Sequence, residues 1–143
     1  MALSTDLATM PGTYFGTGAG DESGEFVSRI EVSVLPNGGV LIEYEATSVD
    51  EGVQHRETTM LVGGPEGLDR LYVAHSESPF VTEMVEVEAG SGCFEQPVPF
   101  GPYRMAIVIE TPEPGCVTYA WWWAAGEGEL VEQSKADARL RHG

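Results

Sequence analysis

Histidine has the widest chemical reach of any side chain here, because imidazole exchanges a proton near neutral pH. His75 ends a short alternating stretch in which Leu71, Val73 and His75 share one face. Leu71 and Val73 are apolar, so that face is expected to point inward. His75 is then either a hydrogen-bonded core residue or a group that meets a ligand. His55 and Glu57 are two residues apart and share a strand face, which suits an acid–base pair. Val53, Thr59 and Leu61 lie on that face; Gln54, Arg56, Thr58, Met60 and Val62 lie on the other. Neither set is cleanly apolar, so the inward face stays open. A solvated polar face is the ordinary alternative.

Trp121-Trp122-Trp123 is the most unusual run in the chain. Alternation sends Trp122 to one side and Trp121 and Trp123 to the other, with Tyr119. At least one indole must face inward, as a broad apolar wall with one N–H donor. Trp122 is the expected ligand wall, beside Tyr44 and Ile42 from an earlier strand. Simple core filling is the alternative. Outward tryptophans would form an apolar patch, the basis for expecting a homodimer. Arg104 is one of seven basic residues and shares a face with Ala106 and Val108. If that face is internal, Arg104 would seek a carboxylate of the protein or of a ligand; a surface salt bridge is the alternative.

Other chemistries lack their residues. There is no GxxxxGK[ST] phosphate loop, no dinucleotide fingerprint after a strand and no G-x-S-x-G elbow. Gly16-Thr17-Gly18-Ala19-Gly20 is glycine-rich, but acidic residues follow it and would repel phosphate. No His/Cys cluster has metal-ligand spacing, and no acidic run forms a calcium loop. The net charge of −16, from 23 acidic and 7 basic residues, opposes binding to nucleic acid or an anionic membrane. Cys93 and Cys116 are too few for a disulfide scaffold and read as two thiols in a reducing compartment, with a single disulfide as the alternative. Met1–Met10 has no basic residue and no sustained apolar run, so no signal peptide is expected. With no apolar stretch of roughly 20 residues, the expected location is the cytoplasm.

The elements that must position these groups are strands. Residues 29–35 alternate Ile30, Val32 and Val34 against Arg29, Glu31 and Ser33. Pro36-Asn37-Gly38-Gly39 is a hairpin turn into 40–48, where Val40, Ile42, Tyr44 and Ala46 share a face. Further strands are expected at 53–62, 69–75, 80–88, 103–111 and 116–124, with a last one within 128–141. The segment 92–102, with three prolines, is expected to be a loop or rim element, since proline removes ladder donors. Helix is open only near 3–10, as a cap on a barrel end, and at 130–140. About eight to ten strands joined by short hairpins favour one all-β, antiparallel up-and-down barrel over a sandwich, since closure removes edges. The expected organisation is an N-terminal segment 1–11 and a barrel domain 12–141.

The opening Gly12-Thr13-Tyr14-Phe15-Gly16-Thr17-Gly18 resembles the Gly-Thr-Trp-x-Gly-x-Gly start of the nitrobindin family, lipocalin-like haem-binding barrels, with Tyr14 at the usual Trp. Residues 51–62 resemble that family's Asp-Gly-x-x-x-His-x-Glu-Thr strand, with His55, Glu57 and Thr58 in place. Residues 71–90 are similar to its Leu-Ala-His-Pro…Thr-Glu stretch, through Ala74, His75, Thr82, Glu83 and Gly90. The similarity runs from residue 12 to about 140. It implies a calycin-type barrel with His75 beside a haem b. Haem-binding members carry the iron-ligating histidine in the final strand, where this chain has Gln133; the nearest histidine is His142. A carboxamide is a poor iron ligand. The resemblance therefore carries the fold and leaves ligation and peroxynitrite isomerisation without their residue.

Two functions follow. One is a binding protein holding a hydrophobic, planar small molecule, lined by His75, Trp122, Tyr44, Ile42 and His55. The other is a cofactor-free cyclase or isomerase that uses the cavity as its active site, with His75, Glu57, Tyr14 and Arg104 as catalytic candidates. A purely structural or protein-interaction module is a third reading, and it rests on the outward tryptophans alone.

Overall fold

Period-two alternation is strong enough along most of this chain to set the fold by itself. The computed structural model describes residues 2–20, 24–48, 50–97 and 103–141. These form β1 (Gly12–Gly20), β2 (Gly24–Val34), β3 (Val40–Ser48), β4 (Gly52–Gly63), β5 (Asp69–His75), β6 (Thr82–Glu86), β7 (Cys93–Glu95), β8 (Tyr103–Glu110), β9 (Cys116–Ala125) and β10 (Val131–Leu140). Each strand pairs with its chain neighbours, and β1 closes on β10, giving one antiparallel barrel. Closure leaves no long edge to pair with another chain.

Local chemistry accounts for the joints. At the β2–β3 turn Gly38 sits at φ 90, which glycine adopts freely. The Asn37 side chain accepts from Gly39 N–H at 3.0 Å and holds the turn. The β1 glycines let strands approach closely: a Cβ on Gly16 would fall 1.7 Å from the Asp137 carbonyl oxygen, and one on Gly18 would strike the Phe26 ring at 2.4 Å. Ala136 and Ala138, both fully buried, continue this small-residue seam on β10.

One end of the barrel is plugged. Helix α1 (Leu3–Ala8) buries Leu3 and Leu7 in the core, capping the barrel as the sequence suggested. Its N-cap residue, Ala2, has no side-chain acceptor. Asp69 supplies one from β5, accepting from Ser4 N–H and Ser4 Oγ–H at 3.1 Å each. Glu86 then accepts from the N–H groups of Asp69 and Gly92. Ile30, Ile42, Leu61, Leu71, Met84, Ile107 and Ile109 fill this half.

Three expectations need correction. Residues 93–95 are not loop but a short strand between β6 and β8, because the prolines fall after it. The 80–88 strand shortens to Thr82–Glu86, and β2 starts at Gly24, five residues earlier than its alternation showed. The last strand, expected within 128–141, is Val131–Leu140, and no helix forms there. Cys93 and Cys116 are both free thiols, as expected. No described helix is long and apolar enough to cross a membrane.

Candidate functional site

The opposite end of the barrel opens into a cavity of about 470 Å³. That volume lies in the range of small-molecule sites. Phe26, Tyr44, Met105, Trp121, Trp122 and Trp123 supply its apolar wall; His55, His75, Glu77, Gln133 and Ser134 supply its polar atoms. Two bulges stand at this end. One interrupts β4 opposite Ala46 and Thr47, the other β10 between Glu132 and Ser134. A bulge re-aims side chains locally, which is why Gln133 and Ser134 both border the cavity despite being adjacent.

The β4 face left open by the sequence is now fixed. Glu57, Thr59 and Leu61 are buried, so His55 and Glu57 point inward. Glu57 has no exposed side-chain surface, and its two oxygens are both used. Oε1 pairs with His55 Nε2 at 2.6 Å, and Oε2 accepts from the Tyr119 hydroxyl at 2.6 Å. His55 Nδ1 meets Glu77 Oε1 at 2.7 Å. Glu77 Oε2 meets His75 Nδ1 at 3.1 Å. The result is one hydrogen-bonded chain from solvent to core: Glu77, His55, Glu57, Tyr119. Glu77, with its side chain 55% exposed, is the solvent end.

Electrostatics follow from this order. Burial opposes charge on His55, but hydrogen bonds and charge from Glu57 and then Glu77 outweigh it and raise its pKa to about 9. His55 is thus an imidazolium between two carboxylates at neutral pH. Burial alone would raise Glu77, yet hydrogen bonds from His55 and His75 hold it below the usual carboxylate range. Burial, followed by the charge of Glu57, pushes the Tyr119 and Tyr44 phenols up, so both stay neutral.

His75 is inward on β5 with Leu71 and Val73, as expected, and its side chain is only 7% exposed. An ionised carboxylate only accepts, so Nδ1 carries the proton given to Glu77, and in the neutral ring Nε2 keeps a lone pair. That Nε2 is buried and has no partner, and neither does Trp121 Nε1–H. The two rings meet edge-on with centroids 5.3 Å apart. Tyr44 stacks on Tyr119 at 5.1 Å and meets His55 edge-on at 5.9 Å.

Three sequence-derived candidates lie elsewhere. Tyr14 is fully buried at the plugged end, where its hydroxyl donates to the Met10 carbonyl at 2.6 Å. Arg104 lies on the outer face, since Met105, Ile107 and Ile109 pair with Trp123, Trp121 and Tyr119; its guanidinium donates to the Gly126 and Gly128 carbonyls. Ile42 is 1% exposed and belongs to the packed half, not to the cavity wall. The inward indole is Trp121. Trp122 borders the cavity but lies on the strand face opposite Tyr119. Trp123 stacks on Tyr103 at 4.9 Å at the rim. Glu77 was missed. Its signal was a carboxylate two residues beyond an inward histidine.

Haem, implied by the resemblance, was tested against these residues. The histidine ligation that the resemblance implies needs an imidazole lone pair facing open space. Both His55 nitrogens are committed to carboxylates. His75 Nε2 is covered, with Trp121 edge-on beside it. The final-strand position holds the Gln133 carboxamide, and His142 lies outside the described residues. The described residues do not fit histidine ligation of the iron.

Neither a family model nor a curated protein matches the chain. Among solved structures, Rv2717c from M. tuberculosis is similar, with a TM-score of 0.67 at 16% identity over 95% of each chain. A de novo designed fluorescence-activating β-barrel is similar with a TM-score of 0.52 at 15% identity, over 95% of this chain and 98% of that one. At these identities the likeness is one of fold: a closed antiparallel barrel.

Proposed function

We propose that this barrel binds a planar, largely apolar small molecule in its open half. The observation that carries the reading is the asymmetry of the interior. One half is packed solid by aliphatic side chains, while the other keeps a cavity of about 470 Å³ walled by aromatic rings. A chain that needed only stability would extend the aliphatic packing through that half, since buried apolar surface is what stabilises a core. Flat aromatic walls favour a flat ligand. The nitrobindin resemblance supports the same scaffold reading, and the ligand proposed here is not iron-ligated haem.

The test is fluorescence titration with prodan, a flat neutral naphthalene dye. Saturable one-to-one binding with blue-shifted emission is expected. Ala46 is inward and borders the cavity, so Ala46→Phe should fill it and weaken binding at least tenfold while circular dichroism stays unchanged. A flat titration, or binding indifferent to Ala46→Phe, rejects the reading.

One observation favours a second reading, that of a cofactor-free acid–base enzyme. Glu77 orients His75 so that Nε2 keeps its lone pair, the arrangement of a carboxylate-steered general base. In that case turnover of the ligand would depend on pH, and His75→Ala would remove the dependence.

A further inference from the structure

The cavity has a charge character that the binding reading does not use. Among the described residues, its lining contains no lysine and no arginine. Its one cationic group, His55, is already held by the carboxylates of Glu57 and Glu77. Two carboxylates around one imidazolium leave the polar floor with an excess negative charge. Around it stand the rings of Tyr44, Trp121, Trp123 and Phe26. Aromatic faces carry negative quadrupole density and attract cations, more strongly where water is excluded. The chain as a whole carries −16, so its long-range field also draws cations toward the mouth.

The second observation is the orphaned nitrogen. His75 is more than nine-tenths buried, and Nε2 has no partner. In the neutral ring, with the proton on Nδ1 and donated to Glu77, Nε2 can only accept. A buried acceptor without a donor costs about 1–3 kcal/mol, which a ligand N–H would recover. Trp121, edge-on beside the ring at 5.3 Å, is the side chain that would have to turn for a ligand N–H to reach this atom.

We propose that the cavity selects planar aromatic cations bearing an N–H donor, such as protonated heteroaromatic amines, with the aromatic walls as the cage, Glu77 as counter-charge at the mouth and His75 Nε2 as acceptor. This rests on the small-molecule reading above and assigns its ligand class.

The experiment compares three acridines of one ring size, titrated by fluorescence against the full chain at pH 7.5 and low salt. Proflavine is the cation with N–H donors, acridine the neutral form and acridine-9-carboxylate the anion. The expected order is proflavine, acridine, then the anion, with proflavine at least tenfold tighter than acridine. Raising salt to 0.5 M should shrink that ratio, because the Debye length falls to about 4 Å. Glu77→Gln should lower it two- to fivefold, the range of about 0.5–1 kcal/mol for a solvent-exposed charge pair. His75→Phe should weaken proflavine and spare acridine.

Acridine bound as tightly as proflavine overturns the cation assignment and leaves the small-molecule reading standing. Failure of all three to bind overturns both. Proflavine binding unchanged by Ala46→Phe would place the dye on the acidic outer surface, which also overturns the assignment. A ratio unmoved by both salt and Glu77→Gln overturns the role of Glu77.

Discussion

His55 gives the sharpest quantitative prediction. Its imidazole titrates at about 9 in the folded protein, against 6.5 for an unperturbed side chain. Below pH 6.5 both states hold the proton, and the full benefit of the Glu57 and Glu77 contacts is present. Between 6.5 and about 9 the folded state keeps a proton that the unfolded state has released. Unfolding then releases a proton, so stability falls as pH rises through that window. The ring is one-fifth exposed, so most of this is not screened by solvent. At roughly 1.4 kcal/mol per pH unit the loss is about 3 kcal/mol. With a urea slope of about 2 kcal/mol/M, the midpoint moves down by about 1.5 M.

Two assays read this independently. Urea unfolding followed by tryptophan fluorescence at pH 6, 7, 8 and 9 should give a wild-type curve that declines, and a His55→Gln curve that lacks this component. NMR of the His55 ring carbons in the native protein should show titration near pH 9. The groups facing the ring are Glu57 on its own strand, Glu77 beyond β5, and the His75 and Tyr44 rings. A His55 midpoint near 6.5, or parallel stability curves for wild type and variant, would mean that the carboxylates do not hold the imidazolium as the geometry requires.

Three more predictions concern other parts of the barrel. Asp69→Ala removes both acceptors at the start of α1 and should cost about 2–3 kcal/mol in urea unfolding, whereas Asp69→Asn, which keeps one acceptor oxygen, should cost less. Gly16→Ala places a methyl against the β10 backbone and should destabilise by about 3 kcal/mol or prevent folding, read as the melting temperature. Ferric haem added to the purified protein should give no sharp, stoichiometric Soret band, since the described imidazole nitrogens are committed or covered; a sharp band would overturn that reading of the site.

How far the sequence disclosed this molecule depended on whether a strand's phase was marked by unambiguous residues. β3 was readable because Val40, Ile42, Tyr44 and Ala46 are all apolar and all inward. β5 was readable for the same reason, and it delivered His75. β4 was not, because its inward face carries His55, Glu57 and Thr59, polar groups that look like a solvated surface until their partners are known. β7 was hidden by nearby prolines, which follow the strand and leave its three residues free to pair. Arg104 and Tyr14 were drawn to the site by residue type alone; alternation fixed by the rest of β8, and distance along the barrel, put them elsewhere.

β9 shows what would have settled more. Its phase is fixed by Tyr119, whose fully buried hydroxyl needs an acceptor; Glu57 provides it across the barrel. Once Tyr119 is inward, Trp121 is inward two residues later, and the cavity-facing indole follows without further choice. The polar residues of the interior therefore explain one another only as a set. Glu57 is tolerable in the core because His55 and Tyr119 both use it, His55 holds its charge because Glu77 closes the other side, and Glu77 in turn fixes the proton on His75. Each member alone reads as a surface residue or a misplaced polar group. Together they form a satisfied network whose single unmet atom, His75 Nε2, belongs to a residue of the cavity lining, and that is where a ligand has something to gain.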